Sequence, residues 1–257
     1  MKESVFFRDL SKMEYQQAWD IQEELLQRNI DIKRQRAQPL LLNGAAQSEN
    51  MNGHPAQDTV TGISKGVDTV NHLLFVEHFP VYTLGKSGQE EHLLINGEEL
   101  DRKGIQFFRT NRGGDITFHG EGQIVGYPIL DLEKFGTDIG KYLRNLEEVI
   151  IGSLAEFGIQ GDRSAGETGV WIEAGIQARA RKICAIGVRC SRWITMHGFA
   201  LNVNTDLSYF EHIIPCGIQD KQVTSMKKEL GGVVSIKEAK EAVKRNFGSV
   251  FGVELHE

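Results

Sequence analysis

The sequence predicts an α+β fold, a mixed β-sheet flanked by helices. Three observations carry this. Runs of β-branched and aromatic residues recur from His72 onward, each bounded by glycine or proline. Two long segments, about 138–157 and 235–251, instead place apolar residues at helical spacing. Strands and helices do not alternate strictly, which argues against a wound parallel sheet.

The elements follow in chain order. Ser11-Lys12-Met13-Glu14 reads as a capping box that opens a helix, with Tyr15, Ala18, Ile21, Leu25 and Leu26 on one face. The pattern fades near Arg34. Residues 38–68 are rich in Gly, Asn, Gln, Ser and Thr with little periodicity, and are read as a surface insertion in a single catalytic domain spanning 1–257. His72–His78 is a strand ended by Phe79-Pro80, and Val81–Leu84 a shorter one. Gly97–Lys103 forms one or two helical turns. Strands are expected at Ile105–Arg109, Asp115–Phe118 and Gln123–Leu130, separated by glycine clusters. The helix from Asp138 to Phe157 carries Tyr142, Leu146, Val149, Ile150 and Leu154 on one face and ends at Gly158. Gly169–Glu173, Lys182–Cys190 and Trp193–Val203 are strands, and a capping box at Ser235–Glu238 opens the last helix.

Composition narrows the function classes. The chain has 257 residues, with 29 Lys+Arg against 35 Asp+Glu and a net charge of −6. That balance argues against a general nucleic-acid binder, whose affinity rests on neutralising phosphates. No apolar run approaches the ~20 residues of a membrane helix, and the N-terminus does not read as a signal peptide. A cytoplasmic protein that is no membrane partner is expected. Three cysteines, Cys184, Cys190 and Cys216, cannot all pair, so no disulfide framework is expected.

Four segments carry more Gly, His and reactive side chains than packing needs. The first is Arg112-Gly113-Gly114-Asp115-Ile116-Thr117-Phe118-His119, followed by Gly120–Gln123. Its glycines allow close backbone approach to a ligand, and Arg112 and His119 suit a polar group. It matches no nucleotide-binding glycine motif. The second is Arg181-Lys182-Ile183-Cys184-Ala185-Ile186-Gly187-Val188, in which a lysine sits in an apolar strand. Such a lysine either snorkels to water or, if buried, becomes a base-competent amine. The third is Met196-His197-Gly198-Phe199-Ala200-Leu201-Asn202-Val203-Asn204, where small residues alternate with large ones as in the wall of a slot. The fourth is Ile213-Ile214-Pro215-Cys216-Gly217-Ile218, a cysteine in a tight turn, while Cys184 and Cys190 read as packing residues. A free thiol is only about 3% ionised at pH 7, so full ionisation beside a lysine raises the nucleophile roughly 30-fold. A Cys–Lys pair suits acyl transfer through a thioester. The spacing of Cys and His matches no structural zinc site, and no metal is expected.

On these segments, together with His78–Gly85 and Gly169–Ile172, the chain resembles the lipoyl(octanoyl) transferases, which move octanoyl from acyl carrier protein onto lipoyl domains. The resemblance implies the fold of the biotin and lipoate protein ligase catalytic domains. It places the acyl-thioester nucleophile on Cys216 and the thiolate-activating lysine on Lys182. It places substrate binding on Arg112–His119, Ala185–Gly187 and Gly198–Ala200. His119 and His197 could orient the attacking amine or Lys182, or be structural. The implied partners are octanoyl-acyl carrier protein and the apo lipoyl domains of 2-oxoacid dehydrogenase complexes and glycine cleavage H protein; no cofactor is needed, and a monomer is expected. Glu121 stands where the family more often has Pro, and the 38–68 segment is absent from typical members. Two alternatives share the fold: an ATP-dependent lipoate protein ligase, and an inactive lipoyl-domain binding module. Since the implied carriers are acidic, a local basic patch is expected, drawn from Lys86, Arg109, Arg112, Lys182 and Arg192.

Overall fold

The structure, a computed structural model, describes residues 2–46, 67–176, 178–214 and 222–257, with the backbone alone for 38–46. Among these residues the strands are β1 (Glu3–Met13), β2 (Asn71–His78), β3 (Val81–Leu84), β4 (Gln106–Arg109), β5 (Ile116–His119), β6 (Gln123–Ile129), β7 (Asp162–Ser164), β8 (Glu167–Ile172), β9 (Arg181–Ser191), β10 (Ile194–Asn202), β11 (Gln222–Val223) and β12 (Val253–His256). The helices are α1 (Tyr15–Ala46), α2 (Gly97–Lys103), α3 (Ile139–Ala155), α4 (Met226–Leu230) and α5 (Ile236–Phe251).

A mixed sheet runs in the order β12-β1-β2-β6-β10-β9-β8-β7, and β11 pairs with β9 beyond the end of β10. β1 is parallel to both β2 and β12, whereas β2 through β8 meet antiparallel. Helices cover both faces, and strand alternation shows it. In β2, Leu73 and Phe75 join the core under α3 and α5, while Leu74 and Val76 pack toward α1. In β10, Phe199 and Leu201 face the first core and Met196 and Ala200 the second side. A smaller sheet, β4-β3-β5, has its own cluster around Tyr82, Leu100 and Phe118.

Helix boundaries follow their caps. Asn96 and Glu99 form a reciprocal capping box on α2, Asp138 accepts the Lys141 N–H on α3, and Ser235 accepts the Glu238 N–H on α5. The expected cap at Ser11 is not one. β1 runs through it to Met13, Ser11 adopts a φ of 57° at a bulge against β2, and α1 begins at Tyr15. Parallel pairing with β2, Lys12 opposite Glu77 and Met13 opposite His78, overrides the local motif there. α1 also continues past Arg34 to Ala46, and the central part of the expected insertion, 47–66, lies outside the described residues. No described helix is long and apolar enough to cross a membrane.

Candidate active site

Three of the segments singled out in the sequence meet at one cavity of about 480 Å³, a size suited to a small ligand. Strand register brings them together. Ala185, Ile186 and Gly187 of β9 lie directly opposite Ala200, Phe199 and Gly198 of β10. The Gly113 N–H then donates to the Val188 carbonyl at 2.9 Å, which lays the Arg112–Asp115 turn across the end of that pair. Gly198 is required where it stands: a Cβ there would lie 2.2 Å from the Gly126 carbonyl oxygen of β6. Its role is close approach of two strands, beyond merely lining a slot.

The buried end of the cavity is polar, and hydrogen bonds link its side chains. Arg112, 7% exposed, donates to the Thr83 carbonyl at 2.6 Å, the Thr83 hydroxyl at 3.0 Å and the Gly113 carbonyl at 3.0 Å. His119 Nδ1–H donates to Gln123 Oε1 at 2.8 Å, so its Nε2 accepts the Thr83 hydroxyl at 3.3 Å. Gln123 in turn donates to Asn202 Oδ1, and Asn202 to the Thr224 carbonyl. Behind them His78 Nδ1–H donates to the Met13 carbonyl, and Tyr127 Oη donates to His78 Nε2 at 2.8 Å. Burial holds these imidazoles neutral. His78 is pushed down to about 4 by desolvation, and His119 well below its ordinary value by burial and its neighbour His78. His197 is pushed down to about 3 by burial and by the guanidinium charges of Arg112 and Arg189. His197 has an unusual φ of 57°; its N–H donates to Gln22 Oε1 at 2.9 Å and its Nε2–H to Asn111 Oδ1 at 2.8 Å. Burial likewise pushes the Tyr15 and Tyr127 hydroxyls up, so they too stay neutral.

The opposite side is more open. Lys182, half-buried, lines the cavity with Glu167 and Thr168 of β8 and with Ile139 and Leu143 of α3. Its strand is held on both flanks, by Trp171 of β8 and by Val223 of β11, and its carbonyl accepts the Thr224 N–H at 2.9 Å. Asp115 pairs with His92 Nδ1 at 2.6 Å and takes the Ile116 N–H at 2.6 Å, while the His92 carbonyl accepts the Ile214 N–H at 2.8 Å. Cys216 falls in 215–221, outside the described residues. The described residues on either side of that stretch, Ile214 and Gln222, are thus tied to neighbours of the cavity.

Of the expected binding residues, Arg112, Gly113, Gly114, Asp115, Ile116, Thr117, His119, Ala185, Ile186, Gly187, Gly198, Phe199 and Ala200 line the cavity, as do Lys182 and His197. Phe118 does not. Strand alternation in β5 turns its ring into the small-sheet cluster, stacked 4.4 Å from Tyr209. Tyr15 and Tyr127 were not signalled: they read as apolar-face residues of a helix and a strand, and only packing shows their hydroxyl-bearing rings at the wall. Cys184 is wholly buried in the main core, and burial pushes its thiol up. Glu121 is exposed and pairs with Lys12, away from the cavity. Of the expected basic patch, Lys182 lines the cavity and Lys86 sits beside it, its N–H donating to the Arg112 carbonyl at 3.0 Å. Arg112 points inward, Arg109 pairs with Glu90, and Arg192 sits in the turn at the far end of β9, roughly 30 Å along the strand from Lys182.

A closed polar end, apolar side walls and a half-exposed lysine define an enzyme fold that can seat a short acyl chain beside an amine. The chain matches the profile of the lipoyl protein ligase A/B catalytic domain over residues 14–248. It is 49% identical over 256 residues to an octanoyltransferase of Christiangramia forsetii, covering 99% of both chains. It is 51% identical over 252 residues to an octanoyltransferase of Flavobacterium psychrophilum, covering 98% of both. The chain therefore belongs to the lipoyl protein ligase A/B catalytic family, and within it to the octanoyltransferases. These matches run nearly end to end, so the 38–68 segment is part of a length this chain shares with those relatives. Solved structures give the same fold. A bipartite lipoate protein ligase of Thermoplasma acidophilum aligns with a TM-score of 0.64 at 17% identity, covering 100% of this chain and 87% of that one. A lipoate-protein ligase A bound with ATP aligns at 0.59 and 19%, covering 73% and 75%.

Proposed function

We propose that this enzyme moves an octanoyl group from octanoyl-acyl carrier protein, through a thioester on Cys216, to the lysine amine of apo lipoyl domains. The observation that carries the reading is the meeting of Lys182 and the three glycine-bearing segments at one cavity in a chain that is half identical to octanoyltransferases along its whole length. The Cys216 thiolate, with Lys182 as its activator, attacks the thioester carbonyl; the carrier thiol leaves, and the octanoyl-Cys216 thioester remains. The ε-amine of a lipoyl-domain lysine then attacks, loses its proton and releases Cys216 as an amide forms. Thioester to amide is downhill, so no ATP enters the cycle. Arg112–His119, Ala185–Gly187 and Gly198–Ala200 seat the acyl chain. His119 has both ring nitrogens bonded within the protein and is held neutral, which supports a wall role over proton transfer. His197 spends Nε2 on Asn111 and serves the same wall. The expected setting is cytoplasmic, as the first step of endogenous protein lipoylation. The acceptors include lipoyl domains of 2-oxoacid dehydrogenase complexes and glycine cleavage H protein, and the enzyme works as a monomer.

Incubation with octanoyl-acyl carrier protein alone tests the reading. Intact-protein mass spectrometry should show one added octanoyl group, absent from Cys216→Ala. An adduct that needs ATP and free acid would replace it with the lipoate ligase reading, which the fold also accommodates. Binding of apo lipoyl domain with no acyl transfer would leave only a binding module.

A further inference from the structure

Lys182 does not stand alone on its strand. Its ammonium Nζ lies 4.6 Å from the centroid of the Trp171 ring, and the two residues are direct cross-strand partners between β9 and β8. Trp171 is 1% exposed, so its face is a fixed and largely dry surface. The pairing is irregular immediately before Trp171, between Val170 and Trp171. That irregularity has a visible support. Gly169 takes a φ of 122°, and a Cβ there would lie 2.7 Å from the Cys184 carbonyl oxygen and 3.6 Å from Lys182 Cε. Only glycine fits, and its backbone forms the floor under the lysine stem. The Gly169 N–H donates at 3.0 Å to Glu147, a carboxylate of α3 with no exposure. Arg163 and Arg144 hold that carboxylate from the other side at 3.0 and 2.8 Å. Glu147 thus fixes Gly169, the bend at Gly169 sets the indole, and the indole faces the ammonium.

We propose that Trp171 is a positioning residue that holds Lys182 as a cation at the cavity wall, with Gly169 and Glu147 fixing the strand it rests on. The chemistry favours one of two roles for the lysine. An aromatic face attracts an ammonium through its quadrupole and offers a neutral amine no comparable gain. A lysine held this way acts as a standing positive charge that stabilises a thiolate, and not as an uncharged base that first collects the thiol proton. Among the described residues, the flanking elements also carry Glu167 and Glu147, and Arg181, which pairs with both Glu229 and Glu173. The inference rests on the reading that Lys182 activates Cys216.

The test follows alkylation of Cys216 against pH by peptide mass spectrometry. Trp171→Leu should raise the apparent thiol pKa by about one pH unit, the size of a partly desolvated cation–π contact. Trp171→Tyr, which keeps an aromatic face, should restore most of the shift. In a Lys182→Ala background, Trp171→Leu should add nothing further. Should the leucine variant fail to fold, stepwise fluorination of the indole at position 171 withdraws ring electrons at nearly constant volume and should raise the pKa in steps. An unchanged pKa in the leucine or fluorinated protein overturns the proposal. So does an equal shift in Tyr and Leu, or a shift that persists without Lys182. If the wild-type chain takes up no octanoyl on Cys216, the functional reading has failed. If it does, and only the Trp171 variants are silent, the positioning inference alone has failed.

Discussion

At its buried end the cavity is walled by Arg112, His119 and Tyr127, with His78 behind them, and their hydrogen bonds run to one another and to the backbone. Along β9 and β8, by contrast, Lys182 stays half-exposed against an indole face, with its backbone held on both flanks. The first region has spent its polar capacity on structure, since a buried polar group left unpaired is costly. The second places a charge at the cavity wall. The difference teaches that histidine content alone does not locate acid–base chemistry: here the imidazoles are held neutral by burial, while the charge that can act on a thiol lies across the cavity.

Three measurements can break or sharpen this contrast. The largest effect is expected at Gly198, where a Cβ meets the Gly126 carbonyl oxygen at 2.2 Å and Pro128 Cδ at 2.6 Å. Gly198→Ala should cost about 3 kcal/mol and lower Tm by about 10 °C, because β6 and β10 must separate. A melt within 2 °C (~0.5–1 kcal/mol) of the wild type would show that the strands give way easily. Next comes acid. His78 titrates at about 4 when folded and at ~6.5 in the unfolded chain, so between these values the unfolded state binds more protons. Stability is then fully present above pH ~6.5 and falls as pH drops toward 4, by about 3 kcal/mol for His78, with His197 acting in the same sense. Urea unfolding across that range checks it, and His78→Gln should flatten the slope. The smallest effect on the fold is expected at Lys182. Lys182→Ala should slow Cys216 acylation roughly 30-fold, about 2 kcal/mol of barrier, while Tm barely moves. A large loss of Tm there would place the lysine with the structural end.

Much of this was legible beforehand. The apolar stripe foretold α3, and the stripe with the Ser235–Glu238 capping box foretold α5, because a helix is specified by neighbours three and four residues apart. The strands bearing Lys182 and His197 were legible from their β-branched and aromatic content. β1 was not: the Ser11–Glu14 motif pointed to a helix start, and only pairing with β2 made that stretch a strand. Nor was Glu147, a charge on an apolar helix face, whose meaning depends on Arg144, Arg163 and the Gly169 N–H arriving from elsewhere.

The sequence by itself determined the fold class and the family resemblance, and it singled out the glycine-bearing segments and the lysine that line one cavity, because those are properties of local pattern and residue type. Tertiary structure decided the register that sets Gly187 against Gly198, the turn of Phe118 away from the cavity, the neutrality of the buried histidines, and the indole beneath Lys182. Each of these depends on contacts between residues far apart in the chain. Burial and distance, which set charge state and hydrogen bonding, exist only once the chain has folded.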